Sequence, residues 1–387
     1  MKVAYVSPFY DPAVAAPVDM LERYPILREL PAALSRRGID VNVFLHASSD
    51  AVIQRAGVSY RFIASPVIAR PPSFLLHRWK PRHGPAYYQP MWRLSRQLRD
   101  ARPDVVHVAG MTLDIQLAIV ARVCDRLQVP LVVHYHGGAP ARGRMAGLQR
   151  HNLRRADAAL FTAPEQADSW LAAGMLRDAG VVRIVIETSS PFRGIAKDTA
   201  RALTGMHGDP VYLSAGRLHP VKDPLTMLAG FARIAADQPG ARLFLHYLTD
   251  EQLPEVQRLI FDTPGLHARV ELRGRAAASD MEAVYSSADF LLQASVREWS
   301  GLALLEAMAC GCVPIVTDIP SFRAMTAGGR FGRLFPRGDP DALARSALAI
   351  GTEERETLAK MVREHFEHEL SFDAMARKLE TIYHEVR

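Results

Sequence analysis

SVREWSGLALLEAMACGCVP, residues 295–314, follows directly on an apolar run at 289–294, DFLLQA. The run reads as a buried strand, and from Leu302 onward good helix formers continue until Gly311 and Pro314 close the pattern. Glu298 therefore belongs to a loop at a strand's end and Glu306 to the helix that follows. The helix's first free amides come from Ser300, Gly301 and Leu302. A helix start presents unpaired N–H groups and the positive end of a dipole, so it favours anionic or hydroxyl-rich ligands. Two carboxylates there are awkward for phosphate and well suited to accept hydrogen bonds from sugar hydroxyls. By itself the pair reads equally well as favourable charge in a helix's first turn.

A second stretch works the same way. In VYLSAGRLHPVKDP, residues 211–224, Val211 to Ser214 read as a strand and Gly216 permits a tight turn. Asp223-Pro224 then starts a helix, with Asp as cap and Pro in the first turn. Leu225, Leu228, Phe231 and Ala235 recur at helical spacing. Between strand and helix stand Arg217 and Lys222, a planar fork and a point charge that would together clamp a diphosphate. Solvated cations on a loop are the plain alternative. Lysine is scarce, however, with 6 against 41 arginines, which makes a lysine in this loop less like filler.

The two stretches together resemble the signatures of retaining GT-B glycosyltransferases, above all glycosyltransferase family 4 (glycosyl transferases group 1). Glu298 and Glu306, with Leu-Glu-Ala-Met-Ala-Cys-Gly at 305–311, match the E-x7-E element, and Gly216-Arg217 through Lys222 match G-R-x-x-x-x-K. The resemblance implies that Gly216, Arg217 and Lys222 hold the diphosphate of a nucleotide sugar. It further gives Glu298 the donor sugar's hydroxyls and Glu306 the ribose, with Ser300, Gly301 and Leu302 completing the donor site. The donor, a UDP- or GDP-sugar, is a substrate, and no other cofactor is implied.

Length and patterning agree. The chain has 387 residues, 49% apolar and 23% charged, which suits a two-domain globular protein. No run approaches the roughly 20 apolar residues that span a bilayer. The start, Met1 to Ser7, reads as a strand with no signal-peptide pattern, and Cys124, Cys310 and Cys312 suggest neither a disulfide framework nor a zinc site. A cytoplasmic setting fits best. Strands are expected at 3–7, 40–45, 105–109, 131–135, 159–162 and 182–186, then at 211–214, 242–247, 270–273, 290–293 and 313–317, mostly separated by helical stretches. That alternation argues for parallel sheets with crossovers. The fold class is α/β, and the resemblance makes it GT-B: two Rossmann-like doubly wound domains facing a central cleft. The boundaries are set at 1–190 for the acceptor-side domain and 191–370 for the nucleotide-sugar domain. A C-terminal helix at 371–387 could cross back to the first.

In the first domain, PLVVHYHGG at 130–138 is a strand running into a glycine turn. His134 and His136 share a face, and His136 stands nearer the strand's carboxyl end. A structural role and a role at the donor sugar are about equally open from the residues; the family's His-Gly loop favours His136. His107 reads as core packing. The family's paired glycines after the first strand are missing, since residues 8–17 run PFYDPAVAAP, which puts amide contacts from this loop in doubt. Asp339-Pro340-Asp341 is a formal D-x-D, but it reads as a helix cap with Pro in the first turn. No metal is expected.

Residues 51–99 hold nine basic residues and no acid, more than the whole chain's net +6. Arg55, Arg61, Arg70, Arg78, Lys80, Arg82, Arg93, Arg96 and Arg99 are interleaved with Tyr60, Phe62, Phe74, Trp79, Tyr87, Tyr88 and Trp92. Such a surface suits a phosphate-bearing acceptor or the anionic inner face of a membrane. Arg142, Arg144, Arg150, Arg154 and Arg155 add to it. No nucleic-acid motif accompanies the charge. The expected function is a metal-independent, retaining transfer to a glycan or lipid-linked acceptor in cell-envelope polysaccharide or lipopolysaccharide synthesis. A small soluble acceptor, a GT-B sugar-nucleotide epimerase and a non-catalytic sugar-nucleotide binder stand as alternatives.

Overall fold

The computed structural model describes residues 1–8, 11, 14, 16–64, 92–112 and 114–387. The chain forms two compact units. One comprises Met1–Glu187 with Phe372–Arg387, the other Thr188–Ser371. The C-terminal helix Phe372–Val386 thus belongs to the first unit, where it packs on the helix Pro25–Arg36. Among the described residues no helix is long and apolar enough to cross a membrane.

Among the described residues the first unit holds eight strands: β1 (Lys2–Ser7), β2 (Asp40–Ala47), β3 (Ala51–Arg55), β4 (Val58–Ala64), β5 (Val105–Ala109), β6 (Leu131–His134), β7 (Ala158–Phe161) and β8 (Val182–Ile184). Their order is β3-β4-β2-β1-β5-β6-β7-β8, parallel except for the β3–β4 hairpin. That hairpin was not anticipated from sequence. Its turn, Ala56-Gly57, takes positive φ at both residues (+50° and +76°), the geometry a tight two-residue hairpin requires. It occupies the start of the acid-free stretch, so part of that stretch is sheet rather than free surface. Arg70, Arg78, Lys80 and Arg82, with Phe74, Trp79, Tyr87 and Tyr88, lie outside the described residues.

The second unit has six strands: β9 (Val211–Gly216), β10 (Arg242–Tyr247), β11 (Val270–Gly274), β12 (Phe290–Gln293), β13 (Val313–Thr317) and β14 (Arg333–Phe335). All run parallel in the order β11-β10-β9-β12-β13-β14. Helices cover both faces, and so central strands such as β12 and β13 are apolar and fully buried. Tyr212 of β9 stacks on Phe290 of β12 with ring centroids 5.1 Å apart, and Phe231 packs edge-on against Tyr212 at 5.6 Å. The chain moves outward from β9 to β11, then returns to the other side of β9 with β12. The sheet's switch point therefore lies between β9 and β12, and a crevice opens there beyond the strands' carboxyl ends.

Candidate active site

The two loops singled out from sequence leave the sheet side by side at this switch point. After β9, Gly216 has φ +154°, a conformation L side chains rarely adopt, and it turns the chain out of the sheet. A 3₁₀ turn, Pro220–Lys222, follows. His219 caps it, its Nδ1 accepting from the Val221 amide at 3.0 Å. Asp223 then takes a left-handed conformation (φ +46°) and caps the helix Pro224–Asp237, accepting from Thr226 N at 3.2 Å. The two caps fix the direction in which Lys222 leaves the loop.

After β12, residues 294–301 are held from several sides. The Thr317 hydroxyl donates to the Ser295 carbonyl at 2.6 Å and the Ser321 hydroxyl to the Glu298 carbonyl at 3.2 Å. Gly301 precedes the helix Leu302–Ala309 with φ +70°, and a Cβ there would sit 2.5 Å from Phe322 Cε1. Only glycine fits.

The loops are joined to each other. The Val296 amide donates to the Val221 carbonyl at 2.8 Å, and the Lys222 ammonium pairs with Glu298 Oε1. Ser295 donates its hydroxyl to the same oxygen at 2.7 Å. The pair is well shielded, with 21% of the lysine side chain and 11% of the glutamate exposed. Arg217 is exposed and has no ion-pair partner among the described residues. One cation is thus held by a carboxylate and the other is free. Both line a cavity with Gly216, Gln293 and Ser295.

Glu306 sits one turn into the helix Leu302–Ala309 and does not line that cavity. It bonds the hydroxyl of the fully buried Tyr285. Burial raises its carboxyl to about 7, against a smaller lowering by the Tyr285 hydroxyl. Sequence reading missed Tyr285, His219, Ser295, Thr317 and Ser321. Asp339 caps a helix by accepting from Ala342 N at 2.8 Å, and Asp341 pairs with Arg233 at 2.5 Å.

In the first unit His136 is exposed at the end of β6, its ring edge-on to His134 at 5.1 Å. The Tyr135 hydroxyl donates to the Gly138 carbonyl at 2.8 Å and fixes the glycine turn. His134 and His107 are fully buried. His107 Nδ1 lies 2.6 Å from the Tyr383 hydroxyl, which ties the C-terminal helix to β5. In the loop after β1, residues 9, 10, 12, 13 and 15 lie outside the described residues. Asp11 is buried there and accepts from the Tyr24 hydroxyl at 2.7 Å.

Two of the described arginines of the acid-free stretch have acidic partners in space. Arg55 meets Glu22 at 2.7 Å and Arg93 meets Asp50 at 2.8 Å. In the further basic run, Arg155 pairs with Asp125. Trp92 stands 71% exposed at the start of its helix.

The family model described as Glycosyl transferases group 1 matches residues 209–352, and the model described as Glycosyl transferase 4-like domain matches residues 25–186. Between them they take in most of the chain. The D-inositol 3-phosphate glycosyltransferase of Saccharomonospora viridis is 28% identical over 368 residues, covering 86% of this chain and 82% of that protein. Sucrose-phosphate synthase from Thermosynechococcus elongatus has a similar fold, with TM-score 0.68 at 20% identity, covering 100% and 98% of the two chains. So does Anabaena Alr3699/HepE in complex with UDP and glucose, with TM-score 0.66 at 15% identity over the whole of both chains.

Proposed function

The chain belongs to the glycosyl transferases group 1, with the GT-B pair of parallel-sheet α/β domains, and on that premise we propose that it takes a sugar from a nucleotide diphosphate sugar and passes it to an acceptor with retention of configuration. The observation that carries this reading is the joining of two loops over the switch point, where a free Arg217 and a paired Lys222 line one cavity. Stabilising the leaving diphosphate is the largest electrostatic task in such a transfer. Arg217 can grip it in a fork, and Lys222 exchanges Glu298 for it or bridges the two. These two cations supply the neutralising charge without a metal.

Glu298 then accepts from the donor sugar's hydroxyls and Glu306 from the ribose. The family resemblance gives His136 an orienting role on the sugar. The acceptor hydroxyl attacks the anomeric carbon from the face the diphosphate leaves. As the new C–O bond forms and the C–O bond to phosphate breaks, a phosphate oxygen takes the acceptor's proton.

For the acceptor, the relative's name supports a small phosphorylated polyol. The pairing of Arg55 and Arg93 with acids weakens the case for a charged membrane face. A glycan or lipid-linked acceptor stays as the second reading, supported by exposed Trp92 among arginines. Free, mostly buried cysteines support a cytoplasmic setting.

The test combines UDP-, GDP- and ADP-sugars with D-inositol 3-phosphate, with a lipid-linked glycan extract, or with no acceptor, and measures nucleoside diphosphate release. Release that requires one acceptor class identifies it. No release and no binding with any donor would sink the donor reading. Proton NMR of the fresh product gives the anomeric configuration, and inversion would refute the stereochemical claim.

A further inference from the structure

The cavity beneath the Arg217–Lys222 loop is lined by a polar side chain with no part in holding the diphosphate or the sugar. His246 is the penultimate residue of β10, in register with Ala215 of β9 on one side and Gly274 of β11 on the other. It lines the same cavity as Arg217 and Lys222. Both ring nitrogens are buried, and neither makes a well-formed hydrogen bond to any described residue. Buried polar atoms are nearly always satisfied, so a ring that lines a cavity with no more than the Gly274 backbone beside its nitrogens leaves a place for another hydrogen-bonding group.

The neighbours say what kind of group. Burial first, and then the Arg273 guanidinium, hold the His246 imidazole below its ordinary range, against opposing pulls from the Gly274 backbone and the Glu271 carboxylate. The ring is thus neutral at pH 7, with one nitrogen turned to the Gly274 backbone and the other a bare acceptor. Across Ala215 stands Gln293 of β12. Its amide donates to the Ala215 carbonyl at 3.2 Å, while its buried Oε1 has no partner among the described residues. Pro224, Met227 and Leu245 give the cavity apolar walls. A dianionic diphosphate is served by cations, which the cavity has in Arg217 and Lys222. A neutral imidazole, a second acceptor in Gln293 and apolar walls instead suit a flat ring with a polar edge.

We propose that His246, with Gln293 as a second contact, hydrogen-bonds the edge of the donor's nucleobase and so sets which nucleotide the enzyme accepts. This rests on the nucleotide-sugar reading above.

Isothermal titration of the full chain with UDP, GDP, ADP and inorganic pyrophosphate tests it. The wild type should prefer one nucleoside diphosphate. His246→Ala should weaken that nucleotide at least tenfold and flatten the preference, with pyrophosphate affinity changed less than twofold. His246→Gln, which keeps a donor and an acceptor, should recover part of the preference, and thermal denaturation confirms that both variants are folded. An unchanged preference in His246→Ala overturns the proposal. So does an equal loss for pyrophosphate, which would move the contact to the diphosphate. If the wild type binds none of the three nucleotides, the donor reading itself fails and takes this inference with it.

Discussion

Lowering the pH from 7 to 4.5 should unfold the first unit before the second, because three histidines buried in it cannot hold a proton while folded. His107 is driven to about 3 by burial and by the nearby His136, and His46 to about 4 by burial, partly offset by the Ile63 backbone. His134 is held well below its ordinary range, again by burial first. Each has a folded pKa below the unfolded one. Its contribution to stability is therefore complete above the unfolded value of 6.5 and is lost as pH falls toward the folded value. The loss runs at about 1.4 kcal/mol per pH unit per histidine, so His107 and His46 each forfeit about 2.5 kcal/mol by pH 4.5. His134 adds in the same direction. Two such losses already match the lower end of a domain's total stability, about 5 kcal/mol. Among the described residues no first-unit carboxylate is raised into this window, which leaves it to histidine there, while Glu306 of the second unit, raised to about 7, favours its folded state as the pH falls. Hydrogen exchange read by mass spectrometry follows each unit separately. Protection of β1, β5 and β6 should fall steeply between pH 6 and 4.5, and His107→Phe should reduce the slope by about one proton. Flat protection of these strands over that range would refute the reasoning.

Three further outcomes are expected. Arg217→Ala and Lys222→Ala should each weaken UDP binding and turnover by about 1.5–3 kcal/mol, tenfold to over a hundredfold. Glu298→Gln should instead lower turnover while leaving UDP affinity equal or tighter, because it frees Lys222; calorimetry and a nucleotide-release assay separate the two patterns. Glu306, raised to about 7 by burial, should make donor affinity rise with pH through neutrality as the carboxylate forms to accept ribose hydroxyls, and Glu306→Gln should abolish that dependence in a pH series of UDP titrations. Gly301→Ala forces a side chain into positive φ and onto Phe322, so it should destabilise the second unit by about 2 kcal/mol, roughly 4–8 °C in a melting curve.

Much of the site was legible because its signals are local. The turn at Gly216, the cap-and-proline pairs Asp223-Pro224 and Asp339-Pro340, and the strand before Glu298 each lie within a few residues, where backbone geometry restricts the choice of amino acid. The structure shows both caps with their hydrogen bonds made. Two kinds of feature were missed. The β3–β4 hairpin had its alternation in Val58, Tyr60 and Phe62, but the segment was read for its charge. The three-residue strand β14 is too short for any period to show.

The other omissions are partnerships, which the one-dimensional pattern does not contain. Glu298 reads as a sugar ligand and Lys222 as a phosphate ligand, 76 positions apart; in space each is the other's partner. Glu306 gains Tyr285 and His107 gains Tyr383 in the same way. The basic stretch makes the consequence plain. A run without acids looks like a field of positive potential, yet potential sums over neighbours in space, within a screening length of about 8–10 Å, and not over neighbours in sequence. Glu22 sits 33 positions before Arg55 and Asp50 sits 43 positions before Arg93, and each lies within 3 Å of its arginine. An inference from charge to partner thus needs the fold first. Of the two cations at the candidate site, the one without a carboxylate among the described residues is Arg217, one loop away from a lysine that already has one.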